Sequence, residues 1–279
     1  GAWAGCYPRR ALAWEEESSM TAERPPEMGD EMGDETARAP TPAKAPPETV
    51  LALQKIALRH APGGALTTQF ARGELAVILG KPGSGKSALA GIIAGTRQAA
   101  GGEVIRRGRI APELGPGWAL GDTATLERDL GLRAAAYGLD TRAYCNAVAN
   151  LIGGAGPMAA PFSRASTPVR QLIGCAASLL IPADAYVADG PLLPAEETYR
   201  ARILPLYRAR RAQATFIWII GQAQQATFVP DQADRFYLLD GGRLEPCPDL
   251  LTLAERYQAV GGQVPPGVMK RLSAAASQR

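Results

Sequence analysis

Residues 75–95 read LAVILGKPGSGKSALAGIIAG and divide into three parts. Leu75–Leu79 is apolar at every position, which is typical of a strand buried on both faces in a parallel sheet. Ser87–Ala94 has helical spacing and is followed by Gly95, a residue type that commonly ends helices. Between them, Gly80–Ser87 reads GKPGSGKS and matches the pattern G-x-x-x-x-G-K-[ST] in full. The stretch therefore predicts a strand, a glycine-rich turn and a helix.

The residue types in this turn suit the binding of a nucleotide phosphate. Glycines reach positive φ and let backbone N–H groups point inward around an anion, at the positive end of the following helix. The side chain of Lys86 can reach the β- and γ-phosphates, and the hydroxyl of Ser87 can bind Mg²⁺. We therefore expect ATP with Mg²⁺ as the ligand. The predicted phosphate-binding residues of this turn are Gly80, Lys81, Pro82, Gly83, Ser84, Gly85, Lys86 and Ser87.

A carboxylate is expected at the end of a neighbouring apolar strand to complete the metal site. The segment Tyr186-Val187-Ala188-Asp189 fits this expectation. Hydroxyl and carboxylate oxygens are the ligands that Mg²⁺ prefers. Ser87 and Asp189 are therefore the predicted Mg²⁺ ligands.

Short apolar strands alternate with helical segments along the rest of the core, which predicts an α/β fold with a P-loop core and a parallel sheet. Residues 51–60 alternate as an edge strand does, and with the following strand they predict a small antiparallel sheet before that core. The helix-rich block at about 120–180 is predicted to be an insertion. Further strands are predicted over 65–70, 185–188, 216–220 and 235–239, and helices over 126–137, 141–152 and 169–180.

The two ends of the chain differ in composition from this core. Residues 1–48 hold ten acidic and five basic residues together with seven prolines, which predicts a disordered, acidic, proline-rich tail. The chain begins at Gly1, and Met20 is a candidate natural start. We expect the folded domain to cover 49–260 and residues 261–279 to be a frayed C-terminal tail.

Composition excludes several classes of function. The net charge of +3 is too balanced to indicate a nucleic-acid partner, and the arginines between Arg200 and Arg211 are expected on a solvated helix face. The sequence has no stretch of about 18 or more uncharged apolar residues, so no membrane span is predicted. The single histidine, His60, and four widely separated cysteines argue against a zinc site, a disulfide framework and histidine-dependent catalysis.

Five segments together resemble one protein family: Phe70–Gly80, Ile93–Gly95, Gly101–Val104, Arg107–Gly115 (RGRIAPELG) and Leu239–Leu244 (LDGGRL). Over about residues 50–260 the sequence resembles the ATP-binding subunit of an ABC transporter. The stretch 108–115 is most similar to the branch that exports capsular and other surface polysaccharides. The resemblance implies a homo- or heterodimer beneath a separate transmembrane permease, peripheral on the cytoplasmic face of the inner membrane.

The sequence departs from that family where the family carries its catalytic groups. The signature loop corresponds to 165–171, in which Ser166 keeps the hydroxyl that would bind ATP on the opposite subunit. Pro168 stands for a glycine there and has no N–H to donate. The catalytic glutamate corresponds to Gly190 and the switch histidine to Gln222, so no catalytic residue is intact.

Further positions weaken the resemblance at the site. The linking-loop glutamine falls near Gly121 or Asp122 and is absent or displaced, and no aromatic residue for stacking on adenine is evident near Arg59, where His60 could stack weakly. Glu196 corresponds to the family's aspartate in the loop after Asp189. We expect nucleotide binding with impaired hydrolysis. Two alternatives stay open: a non-hydrolysing regulatory or scaffold partner of an active homologue, and a P-loop kinase of small molecules.

Overall fold

The computed structural model describes residues 48–59, 64–114, 123–226 and 232–276. The strands within these ranges are β1 (Thr49–Ala57), β2 (Ala65–Ala71), β3 (Leu75–Gly80), β4 (Gly101–Arg106), β5 (Ala185–Asp189), β6 (Thr215–Ile220), β7 (Arg235–Asp240) and β8 (Arg243–Cys247). The helices are α1 (Lys86–Ala94), α2 (Leu126–Ala136), α3 (Thr141–Ile152), α4 (Thr167–Leu180), α5 (Glu197–Arg211), α6 (Ala223–Ala226), α7 (Leu250–Ala259) and α8 (Pro266–Ala276). In the described part of the chain, every helix is too short or too polar to cross a membrane.

The larger sheet has the strand order β5-β6-β3-β7-β8. The first four strands in this order are parallel, and β8 returns antiparallel to β7. Strands β3 and β6 are buried at every position, as their continuous apolar sequences predicted. Alternate residues of β3 enter two different hydrophobic clusters, with Leu75 and Val77 in one and Ala76 and Ile78 in the other.

The position of β5 differs from the prediction. Strand β6 lies between β5 and β3, so the strand that ends in Asp189 is not a direct neighbour of the strand that leads into the glycine-rich turn. The expectation of adjacent strands was wrong, because an apolar run shows that a strand is buried but not which strand it pairs with. The carboxyl ends of β3, β5 and β6 still share one edge of the sheet.

The smaller sheet is antiparallel and has the order β2-β1-β4. Strand β1 pairs on both sides, with Leu51 opposite Phe70 of β2 and opposite Arg106 of β4. The prediction of an edge strand over 51–60 was therefore wrong. Alternation reports that one face of a strand is buried, which holds equally for a central strand of a sheet with one solvated face.

The helical insertion lies between β4 and β5 and comprises α2, α3 and α4. Polar side chains cap two of these helices: Thr125 accepts a hydrogen bond from Arg128 N, and Asp140 accepts one from Ala143 N. Leu126, Leu130 and Tyr144 are buried in the cluster shared with the larger sheet. The predicted insertion is thus part of the domain core rather than a separate unit.

The C-terminal segment is folded in the described residues. Helix α8 covers Pro266–Ala276 where the sequence predicted a frayed tail over 261–279, and it contacts α7. Val264 and Val268 are 7% and 3% exposed and belong to the main hydrophobic cluster. The prediction was wrong because Val268 and Leu272, spaced at i and i+4 on α8, form an apolar face whose packing partners lie in the domain core.

Some sequence-based predictions fall outside the described residues. These are the acidic tail over 1–48, apart from Glu48, and the residues His60, Gly121 and Asp122. The arginines of α5 lie within the described residues, and two of them donate hydrogen bonds to backbone carbonyls. Arg210 donates to Leu179 O at 2.7 Å and Arg211 donates to Gly73 O at 2.6 Å.

Candidate nucleotide site

The glycine-rich turn connects the end of β3 to the start of α1. Gly83 and Gly85 have φ values of 80° and 98°, in the left-handed region that favours glycine. A Cβ atom on Gly83 would meet nothing within 4 Å, whereas one on Gly80 would collide with the hydroxyl of Ser84. The Ser84 side chain therefore fills the space beside Gly80, whereas the space beside Gly83 is open.

Lys86 is the cation of this turn. Its Nζ atom donates a hydrogen bond to the carbonyl oxygen of Lys81 at 2.7 Å. Partial burial lowers the pKa of Lys86, and the nearby charge of Asp189 opposes that effect. A half-buried ammonium group whose hydrogen-bond partner is a neutral carbonyl attracts an anion strongly, because little water screens its charge.

Ser84 is buried inside the turn. Its side chain is 3% exposed, and its hydroxyl finds no hydrogen-bond partner among the described residues. A buried hydroxyl without a partner is rare and costs about 1–3 kcal/mol. Since this hydroxyl lies against Gly80 inside the turn, the open space at Gly83 and the Lys86 ammonium are the features that fit a phosphate group.

Asp189 ends β5 and lies next to a second carboxylate that the sequence analysis did not single out. Residues 110–114 run parallel to β5, with Leu114 N donating to Val187 O at 2.7 Å and Asp189 N donating to Leu114 O at 2.9 Å. This pairing brings Glu113 to the site. Burial and the charge of Asp189 raise the pKa of Glu113 to about 7, while Arg97 lowers it.

Glu113 could have been found from one local signal. It follows the apolar residues Ile110, Ala111 and Pro112, as Asp189 follows the apolar residues of β5. That pattern alone is weak, because the pairing of 110–114 with β5 joins segments about 75 residues apart and is invisible in a local window.

The oxygen ligands at the site fit Mg²⁺ only in company with phosphate. Ser87 is exposed in the first turn of α1, and Asp189 and Glu113 are the carboxylates nearby. Among the described residues, no group of three or more histidines, cysteines or acids is placed to hold a metal ion. Mg²⁺ usually takes one or two protein carboxylates and fills its octahedron with water and substrate phosphate oxygens.

Gly190 has a backbone conformation that only glycine adopts easily. Its φ is 100°, its N–H donates to Ile219 O at 2.9 Å, and its carbonyl accepts from Trp218 Nε1 at 2.5 Å. Any other L residue at this φ is strained by about 1–2 kcal/mol. The carboxylate that the family resemblance places here is thus absent from the sequence and disfavoured by the backbone.

Gln222 is exposed and follows β6 at the same edge of the sheet. Its side-chain oxygen accepts a hydrogen bond from Gln224 Nε2 at 3.0 Å, and its N–H donates to the side chain of Gln225 at 3.3 Å. These bonds shape the start of α6. The amide can donate a hydrogen bond, but it does not change charge as a histidine does.

Ser166 is the N-cap residue of α4, in the helical insertion. Its side chain is exposed and makes no capping hydrogen bond, and Pro168 lies in the first turn of the helix. The structure thus groups Lys86, Asp189 and Glu113 by their electrostatic interactions, while Ser166 starts a helix of its own. Glu196 is the exposed N-cap residue of α5.

Two hollows flank the glycine-rich turn. One of about 140 Å³ lies on the side of Gly83 and Gly85, lined also by Leu58, Arg59 and Arg97. The other, about 650 Å³, borders the start of the turn, and its lining residues are Lys81, Pro82, Gly221, Gln222, Gln224, Tyr257 and residues 261–266.

One family model matches part of the chain. Residues 64–130, about a quarter of the sequence, match the family described as ABC transporter. A comparison with curated proteins finds no match to this sequence.

Solved structures match over most of the chain. An ATP-binding subunit of an ABC transporter is 20% identical, covers 81% of this chain and 100% of its own, and has a TM-score of 0.58. The dimer of an ATP-binding cassette in a post-hydrolysis state, bound to ADP and Pi, is 18% identical, with coverages of 70% and 96% and a TM-score of 0.57. A metal-chelate type ABC transporter in an inward-facing conformation is 16% identical, with coverages of 72% and 83% and a TM-score of 0.55. The described chain has the P-loop α/β fold of ABC ATPases.

Proposed function

We propose that this chain is the ATP-binding subunit of an ABC transporter and binds ATP with Mg²⁺ on the turn Gly80–Ser87. The observation that carries the proposal is the half-buried ammonium of Lys86 inside a turn of two left-handed glycines. A triphosphate replaces the carbonyl of Lys81 as the partner of that ammonium. The match of residues 64–130 to the ABC transporter family points the same way.

Each remaining group at the site has a role in this proposal. The N–H groups of 83–87 contact phosphate oxygens, while Ser87 and Asp189 hold Mg²⁺, with Glu113 as an added carboxylate. Bound Mg²⁺ supplies charge neutralisation at the phosphates. The hollow beside Leu58 and Arg59 accepts the nucleoside part, and the described residues that line it include no aromatic side chain.

Hydrolysis is proposed to be impaired. Gly190 has no proton acceptor and Gln222 cannot carry charge, so nothing at these positions activates or polarises the attacking water. Loss of a water-orienting group typically reduces a rate by about 10² or more. The φ of 100° at Gly190 suits glycine and makes a carboxylate side chain there cost stability, which supports the proposal that this chain has lost the function.

The active assembly is proposed to be a dimer, of two copies or with a homologue, under a separate transmembrane permease at the cytoplasmic face of the inner membrane. The exposed Ser166, whose hydroxyl makes no cap bond, is available to contact ATP on the partner subunit. A related ATP-binding cassette was solved as a dimer with ADP and Pi, which supports the arrangement. The impaired site also suits a regulatory or scaffold subunit paired with an active homologue.

The exported substrate is proposed to be a surface polysaccharide. The support is the resemblance of residues 108–115; within this stretch, residues 110–114 pair with β5 and bring Glu113 beside Asp189. A metal-chelate type transporter of similar fold represents the competing class of substrate. We expect the chain to copurify with a polysaccharide permease but not with a metal-chelate permease. The reverse preference would contradict the assignment.

Phosphate release by the purified chain tests the function as a whole. It should be measured alone, with membranes containing the permease, and with an active homologous subunit. We expect tight ATP binding with turnover well below the usual enzyme range of about 1–10³ s⁻¹. Turnover in that range without a partner would contradict impaired hydrolysis. Turnover only with the active homologue would select the regulatory role.

A further inference from the structure

The last turn of α7 contacts the two segments that flank Lys86. The hydroxyl of Tyr257 donates a hydrogen bond to the carbonyl of Gly221 at 2.8 Å. Three residues later, the carbonyl of Val260 accepts a hydrogen bond from Nζ of Lys81 at 3.1 Å. The same ammonium forms an ion pair with Asp240 at 3.1 Å. The end of α7 is therefore hydrogen-bonded to both the glycine-rich turn Gly80–Ser87 and the segment after β6.

Lys86 rests on these same two segments. Its ammonium is bonded to the carbonyl of Lys81 at 2.7 Å. Its Cε atom lies 3.5 Å from where a Cβ on Gly221 would stand, so the lysine stem passes directly over that glycine. The contacts form a closed ring: Lys86 to Lys81, Lys81 to the end of α7, α7 to Gly221, and Gly221 back to Lys86.

Tyr257 is itself held in place. Its side chain is 3% exposed, and its ring lies so close to Gly262 that a Cβ there would collide with it. The N–H of Gly262 donates to the carbonyl of Tyr257 at 2.8 Å, which closes the end of the helix. Burial raises the pKa of Tyr257, so its hydroxyl remains a donor throughout the neutral range.

A hollow of about 650 Å³ lies beside this closed ring of contacts, so the segment after β6 depends more on its hydrogen bond from Tyr257. It is lined by Lys81, Gly221, Gln222 and Tyr257, so the segment after β6 is not packed against side chains over its whole surface on this side. A segment bordering open space depends on its individual hydrogen bonds for its position. The Tyr257 bond is the long-range one, joining residues 36 positions apart.

We infer that Tyr257 is a positioning residue for the glycine-rich turn Gly80–Ser87. From α7 it fixes the backbone at Gly221, against which Lys86 lies. The C-terminal helices thereby set the placement of the cation that meets the nucleotide phosphates. The link to nucleotide affinity rests on the proposed function, whereas the link to the order of the loop does not.

The test is Tyr257→Phe in the full chain, which removes one hydroxyl and keeps the ring. Tyr144→Phe is a control, because Tyr144 is also a buried tyrosine and donates the same kind of bond, to Ala177 O at 2.6 Å, within the helical insertion. Without nucleotide, amide hydrogen exchange in 81–87 and 221–225 should accelerate about fivefold in Tyr257→Phe. The control should leave these segments unchanged.

A second readout separates positioning from general stability. Affinity for a non-hydrolysable ATP analogue should fall about threefold to tenfold in Tyr257→Phe, as expected for one lost hydrogen bond. Affinity for AMP should not change, because Lys86 addresses the distal phosphates. Equal exchange in the two variants, or equal loss of both affinities, would overturn the inference. Accelerated exchange with no nucleotide binding by the unmodified chain would support the positioning role and reject the proposed function.

Discussion

Replacing Glu113 with glutamine should change how the stability of this protein depends on pH. Burial beside Asp189 raises the pKa of Glu113 from an ordinary 4.5 to about 7. The folded state then keeps a proton between these values while the unfolded state has lost it. The free energy of unfolding therefore falls as the pH rises from about 4.5 to about 7, and the fall ends above the folded-state pKa.

The magnitude follows from the size of the shift. A rise of this extent corresponds to at most about 3 kcal/mol, and partial exposure of the side chain reduces the expected effect to about 1–2 kcal/mol. Glutamine has no proton to lose, so Glu113→Gln should gain stability over the unmodified chain by that amount as the pH rises.

Urea unfolding at several pH values between 4 and 8, with a chelator present, measures the difference directly. The difference between the two proteins cancels the titration of groups unaffected by the change. A stability difference that stays constant across this pH range would refute the assignment of Glu113 to a buried position beside a second carboxylate. Exposed Glu255→Gln on α7 is the control for the effect of a glutamate-to-glutamine change on unfolding by urea.

Three further outcomes follow from the backbone and burial of particular residues. Gly190→Ala and Gly190→Glu should both destabilise the fold by about 1–2 kcal/mol in thermal unfolding, as should Gly138→Ala at φ 68°. Gly190→Glu should release more phosphate than Gly190→Ala, because only the glutamate restores a proton acceptor, and equal rates would count against the role assigned to this position. Ser166→Ala should leave the melting temperature unchanged but weaken nucleotide-driven dimers in sedimentation velocity; a dimer of undiminished affinity would count against its role across the interface. Val268→Asp should cost about 2–4 kcal/mol, whereas exposed Lys270→Asp should stay within about 0.5 kcal/mol, and equal effects would mean that α8 does not dock.

Local sequence patterns were sufficient for the centre of the fold. The strand β3, the glycine-rich turn and α1 follow from residues that are contiguous, and every position of β3 is buried, so the apolar run is unmistakable. The same holds for β6. The glycine pattern is equally local, because positive φ at Gly83 and Gly85 is a property of single residues.

Pairing between distant segments was beyond such patterns. The central place of β1, the separation of β5 from β3 and the burial of Val268 each depend on which elements meet in space. Glu113 and Tyr257 were missed for the same reason, since their partners Asp189 and Gly221 lie far along the chain. These are the residues through which tertiary structure, rather than local propensity, shapes the site.

Calorimetric titration of the full chain with ATP and Mg²⁺, beside the variants Lys86→Ala and Lys270→Ala, tests the central claim most directly. The account predicts saturable binding by the unmodified chain and by Lys270→Ala, and a loss of at least about 2 kcal/mol of binding free energy in Lys86→Ala, whose thermal unfolding should stay close to that of the unmodified chain. Equal affinity of all three proteins for ATP, or no binding by any of them, would contradict the claim that the turn Gly80–Ser87 is a phosphate site.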